Sequence, residues 1–134
     1  MIKRVHVHRC ISPYGPIDFE QAEKEILDLL NRRHRQLLVH SFLYYKLDET
    51  IIADQEFDKL CRETIQLHKD YPEIAKKAVY YDICKNFDES GSGYFIKEYP
   101  GEIVTTAFRL LAHVQKISLA ELAARYGFSV QKRE

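Results

Sequence analysis

The chain has no apolar run approaching the roughly 20 residues that a membrane-spanning helix needs, and its opening, MIKRVHVHRC, lacks the apolar core of a secretory signal. A soluble, cytoplasmic protein is the expectation. Excess charge is missing too: Lys plus Arg and Asp plus Glu number 20 each. That balance excludes general attraction to the nucleic-acid backbone, so phosphate contact has to come from a local basic cluster. Cysteine is scarce: Cys10, Cys61 and Cys84 lie far apart and form no Cys-x-x-Cys pair, so no zinc or dithiol motif is present and all three read as reduced thiols. There is no P-loop and no recognisable nucleophile-and-base motif. His6 and His8 share one strand face without a third ligand nearby, and no metal is assigned.

What is present fits one globular domain. The 134 residues are 46% hydrophobic and 30% charged, enough to close a single core over 1–134. Ile2, Val5 and Val7 alternate with polar residues before the turn-forming SPYGP, which predicts a short N-terminal strand. Asp18 and Gln21 mark a helix start, and Ala22, Ile26, Leu29, Leu30, Leu37 and Tyr44 recur at helical spacing to about Leu47. Within that helix the run NRRHR concentrates Arg32, Arg33 and Arg35, either as a kink, as a solvated face or as a contact for phosphate or nucleic acid.

Asp54 is the expected N-cap of a second helix carrying Phe57, Leu60, Cys61 and Thr64, which should stop before Pro72. Ala75, Val79, Ile83 and Phe87 predict a third helix from Ile74 to about Phe87. DESGSG is a turn, and YFIKEYPG offers a few residues of strand and hence a short hairpin. Glu102 to about Lys116 is helical by pattern. Ser118 with Glu121 opens a last helix that Gly127 should stop. The fold class is mainly α: a helical bundle with a central helix hairpin at 37–74 and a minor β element.

Tyr44 and Tyr45, then Asp48, then IIADQEFDKLCRE, then Leu67 and YPEI fall in order across that hairpin. The pattern resembles the small N-terminal helical domain, often called Ia, of bacterial NAD-dependent DNA ligases, which has paired Tyr and Tyr-or-His, Asp, Asp-x-x-Tyr-Asp-x-Leu, Arg-Glu and His-Pro-Glu-Leu. The resemblance implies a fold over the nicotinamide-mononucleotide half of NAD, with bond-making left to a lysine of a neighbouring domain. It makes Tyr44 the aromatic wall for a nicotinamide ring and Asp54 and Asp58 the acceptors for ribose or carboxamide groups. Tyr45 stands where the family commonly has His and Phe57 where it has Tyr. Each departure alters a polar contact worth roughly 1 to 2 kcal/mol on the phosphate side. Lys46 in Lys-Leu-Asp-Glu lacks the glycine of the family's lysine motif and is not expected to be a nucleophile.

The leading expectation is a noncatalytic, ligase-Ia-like module that recognises NAD, nicotinamide mononucleotide or a related nucleotide through Tyr44, Tyr45, Asp54, Phe57 and Asp58. It would be a stand-alone protein of phage or bacterial type, connected with DNA metabolism. The alternative is a small adaptor or inhibitor that binds a host protein, with Tyr80, Tyr81, Tyr94 and Phe95 as candidate anchors. A third reading takes ISLAELAARYGFS as the first helix and turn of a helix-turn-helix. The chain stops five residues later, before a recognition helix could form, so nucleic acid is the less favoured partner.

Overall fold

The computed structural model describes residues 9–12, 15–88, 93 and 95–127. Strands β1 (Arg9–Ser12) and β2 (Gly15–Asp18) pair antiparallel, from Arg9 opposite Asp18 to Ser12 opposite Gly15. The strand expected over Ile2 to Val7, with His6 and His8, lies outside the described residues.

Helix α1 (Phe19–Leu47) is one continuous rod of 29 residues, about 43 Å at 1.5 Å per residue. Asp18 caps it by accepting the Gln21 N–H at 3.0 Å. Of the readings open at NRRHR, a break between two helices does not occur, since α1 is helical throughout. Arginine is a good helix former, and the one ring in that run, His34, turns inward and is fully buried. At the other end Asp48 takes a left-handed conformation (φ 56°, ψ 43°), and the Glu49 N–H returns to the Leu43 carbonyl at 2.9 Å, closing α1 and turning the chain back.

Helix α2 (Asp54–Asp70) runs back along α1 and ends before Tyr71, where Pro72 opens the short α3 (Pro72–Ala75). The single helix expected from Ile74 to Phe87 is instead broken into α3 and α4 (Tyr81–Cys84), with Tyr80 left-handed between them at φ 59°. The cause is tertiary. Val79 gives its N–H to Asn31 Oδ1 at 2.9 Å and its carbonyl to His34 Nδ1 at 2.7 Å, so α1 takes both backbone groups that a continuous helix would use itself. Residues 95–99, expected as strand, have no ladder partner among the described residues. They are a turn and irregular backbone that bury Ile96 in the main core, with Phe95 and Tyr99 packed against it. Helices α5 (Gly101–Gln115) and α6 (Leu119–Arg125) follow, the latter capped by Ser118, whose Oγ accepts the Glu121 N–H at 3.1 Å.

The main core is formed where α1 meets α5. Leu37, Leu38, Phe42 and Leu43 of α1 close on Ile103, Ala107, Phe108 and Leu111 of α5, with Cys61 of α2 and Leu122 of α6 beside them. A smaller cluster, Leu30, Ile74, Ala75 and Ala78, holds α3 and the following turn to the earlier part of α1. Between the two, His34 Nε2 and His68 Nε2 meet at 2.8 Å. Because His34 Nδ1 must donate to the Val79 carbonyl, His34 Nε2 accepts and His68 Nε2–H donates, which fixes both tautomers. Cys61 and Cys84 are buried free thiols, and burial first, then Asp58, pushes Cys61 up to about 12, far from thiolate reactivity.

Candidate functional site

The turn at Asp48 folds the end of α1 against the start of α2, and between them lies a hollow of about 210 Å3. From α1 come His40, Ser41, Tyr44 and Tyr45, one turn apart in pairs; from the connection come Glu49, Thr50, Ile51 and Ile52; from α2 come Asp54, Phe57 and Asp58. The five residues named from the sequence as ligand contacts, Tyr44, Tyr45, Asp54, Phe57 and Asp58, thus all line one cavity.

Their chemistry differs by position. Tyr44 is 51% exposed and meets the Tyr45 ring edge to face, centroids 4.7 Å apart, so it stands as a wall at the rim rather than inside packed hydrocarbon. Phe57 is half-buried and leans on Phe87 at 6.5 Å, joining the hollow to the core. Asp54 and Asp58, four residues apart, share a helix face. Asp54 is not the N-cap expected of it. Ala53 occupies that position, without a side-chain hydrogen bond, and Asp54 is the first helical residue. Neither Asp54 nor Asp58 has a hydrogen bond or ion pair among the described residues, so both carboxylates are available as acceptors at the positive end of α2.

The sequence reading missed His40, Ser41 and the Glu49–Ile52 wall. His40 and Ser41 stand one helical turn before Tyr44 and Tyr45, and that spacing was the available signal. Burial lowers the His40 pKa, Glu56 opposing it, so the ring that reaches the hollow is neutral at pH 7. Glu49 is positioned by Tyr126, whose hydroxyl donates to Glu49 Oε1 at 3.0 Å from beyond α6. Ser41 Oγ and the Tyr99 hydroxyl are buried with no hydrogen-bond partner in regular geometry among the described residues, yet they lie close enough for Ser41 to ease down a Tyr99 pKa that burial, then Tyr45, pushes up to about 12. The lining carries three carboxylates, Glu49, Asp54 and Asp58, and no Lys or Arg. With its aromatic rim, such a hollow suits a flat, electron-poor ring and groups that donate hydrogen bonds.

The arginine cluster does not act as one patch. Arg33 turns to α2, donating to Gln36 Oε1 at 2.9 Å and lying 3.6 Å from Glu63. Arg32 and Arg35 instead line a groove of about 480 Å3 between α1 and α5. Arg35 Nε donates to Glu102 Oε1 at 2.9 Å, and Glu102 also accepts from the Tyr80 hydroxyl. Lys46 is exposed in the last turn of α1 and does not line the hollow. Of the proposed interface aromatics, Phe95 and Tyr80 pack against the main core and Tyr81 against the smaller one, and Tyr94 lies outside the described residues. Among the described residues no group of three or more His, Cys, Asp or Glu could hold a metal ion, and no helix is long and apolar enough to cross a membrane.

Residues 23–78 match the family model described as the DNA ligase-like, N-terminal NAD+-binding domain. The match takes in most of α1, all of α2 and α3, and the hollow between them, and extends beyond the 37–74 hairpin in both directions. The chain is also similar to the DNA ligase of Thermotoga neapolitana, 35% identical over 60 residues, covering 45% of this chain and 9% of the ligase. It is 39% identical to the Petrotoga mobilis DNA ligase over 51 residues (38% and 8%), and 44% identical to that of Coprothermobacter proteolyticus over 56 residues (41% and 8%). The matched segment therefore spans less than a tenth of the length of these ligases. No solved structure matches it. Over the segment that builds the hollow, the chain resembles the N-terminal, NAD+-binding Ia domain of NAD-dependent DNA ligases.

Proposed function

We propose that this protein recognises the nicotinamide half of NAD or nicotinamide mononucleotide in the hollow between α1 and α2, and that it does so without bond-making chemistry of its own. The observation that carries the reading is the meeting of an exposed aromatic wall, Tyr44, with two uncommitted carboxylates, Asp54 and Asp58, around one cavity in the segment matching an NAD+-binding domain. Tyr44 offers its face to the nicotinamide ring. Asp54 and Asp58 accept from ribose hydroxyls or the carboxamide, and Tyr45 and Phe57 close the sides. At about 210 Å3 the hollow is smaller than a typical whole-ligand pocket, which suits a nucleoside portion rather than an entire dinucleotide. A cytosolic protein serving DNA metabolism is the setting this implies.

Calorimetric titration of nicotinamide mononucleotide and NAD into wild type and Tyr44→Ala tests the reading. Binding by wild type that the substitution weakens at least tenfold is expected. No heat with either ligand at millimolar concentration would remove it. The adaptor reading draws on the same exposed pair, Tyr44 and Tyr45, as anchors for a partner protein. It gains ground only if nucleotide binding is absent and a partner is retained through these two rings.

A further inference from the structure

The lining of the hollow carries charge of one sign. Glu49, Asp54 and Asp58 line it without a Lys or Arg, and burial keeps His40 neutral at pH 7. Glu56, in the first turn of α2, adds to the negative side, while Arg32 and Arg35 line a separate groove. A phosphate brought here meets three carboxylates and no cation, whereas an oxidised nicotinamide ring is itself a cation and meets its counter-charge. Resting on the proposed reading of the hollow, we infer that its preferred ligand is the phosphate-free, positively charged nucleoside, nicotinamide riboside or another pyridinium nucleoside, with Glu49, Asp54 and Asp58 as the counter-charge.

Glu49 is held for that role from outside the hollow. The Tyr126 hydroxyl donates to its Oε1 at 3.0 Å, which leaves Oε2 without a hydrogen bond among the described residues. The Tyr126 ring sits against Phe108, centroids 5.9 Å apart, so the main core positions this carboxylate from beyond the ligase-like segment. Asp54 and Asp58 complete the set from α2. Ser41 is an independent sign of a polar guest: it lines the hollow, is 1% exposed, and its Oγ has no hydrogen bond of regular geometry among the described residues. Tyr44, half exposed, offers a ring face to a cationic ring. The dipole of α2 would draw a phosphate to its N-terminus, but Asp54 and Glu56 occupy that first turn and answer it already. A ribose held by Asp54 or Asp58 would carry its phosphate within about 8 Å of them, one Debye length at physiological ionic strength, where their repulsion is only partly screened. The volume of about 210 Å3 likewise matches a nucleoside better than anything longer.

The test is calorimetry on the full chain with three ligands: nicotinamide riboside, nicotinamide mononucleotide, and the reduced riboside, whose ring is neutral. The riboside should bind roughly tenfold or more tightly than the mononucleotide, and the reduced riboside should lose a similar factor. Added salt should weaken the riboside and narrow its lead over the mononucleotide. Glu49→Gln should narrow that lead by at least threefold, and Tyr126→Phe, which keeps the ring on Phe108 and removes only the hydroxyl, should narrow it in smaller degree. The ratio between ligands is the readout because a general loss of structure would weaken both alike. Mononucleotide bound as tightly as the riboside or more so, with Tyr44→Ala weakening both, overturns the charge selection and spares the hollow. Equal binding of the oxidised and reduced ribosides overturns it as well. Absence of binding by any of the three to wild type overturns both readings.

Discussion

At the scale of single residues, the account depends on side chains that are placed but not consumed. Tyr44 is half exposed and supports little of the core, so Tyr44→Ala should change folding stability by less than about 1 kcal/mol while removing the aromatic wall. Chemical denaturation read alongside ligand titration separates the two effects. Asp54 makes the same point through backbone geometry. Since Ala53 is the N-cap, Asp54→Asn should cost far less stability than the roughly 1 kcal/mol of a lost cap, whereas Ser118→Ala should cost about that much. Thermal melts of the two variants give the comparison. A capping loss at Asp54 would mean that its carboxylate is not available to a ligand.

The His34 and His68 pair sets the response to acid. Burial lowers both pKa values, that of His68 to about 4, the neighbouring His34 adding to the shift. In the unfolded chain both titrate near 6.5, so between about 6.5 and 4 the unfolded state binds more protons than the folded one. Stability is therefore full above pH 6.5 and is lost as pH falls towards 4, with His40 adding in the same direction. Denaturant midpoints from pH 7.5 to 4.5 should show this decline. His68→Gln, whose amide can still donate to His34, should flatten it. An unchanged slope would contradict the assignment.

At the scale of elements, local grammar was legible and remote capture was not. The Ser118 cap, the end of α2 before Pro72 and the stop at Gly127 all depend on neighbours within a few residues, and sequence spacing located them. The break between α3 and α4 depends on Asn31 and His34, 48 and 45 residues from Val79, and no local pattern announces it. The apolar period through Val79 and Ile83 continues regardless, which is why it predicts a helix. Asn31→Ala should leave the Val79 N–H without its partner and cost about 1 to 3 kcal/mol, measurable by denaturation, while Asn31→Asp, which keeps an acceptor, should cost less. The candidate site divides the same way. The α2 face was readable from its i, i+4 acids, whereas Glu49 enters through a turn and a tyrosine 77 residues away. The arginines were legible as a cluster, but their separation onto two faces followed only from what α2 and α5 bring to each.

At the scale of the whole molecule, the ligase-like segment shares its main core with α5 and α6. Leu37, Leu38, Phe42 and Leu43 of α1 bury against Ile103, Ala107, Phe108 and Leu111 of α5, which lies beyond the family match. A fragment ending at Asp88 would expose that face to water. It should lose the cooperative thermal transition of the full chain, as scanning calorimetry would register, because removing several large buried side chains exceeds the usual margin of stability. A cooperative transition in the fragment would make α5 and α6 an accessory rather than part of the scaffold. The same coupling lets α5 wall the arginine groove and Tyr126 hold Glu49, so residues beyond the part shared with ligases support the hollow although none of them lines it.

The most direct measurement of the central claim is a crystal structure of the full chain with saturating nicotinamide mononucleotide. The account predicts the ring against Tyr44, with Asp54 and Asp58 in hydrogen-bond reach of the ligand's donors. A ligand bound elsewhere, or a hollow left empty while Tyr44 and both carboxylates face it as described, would contradict it.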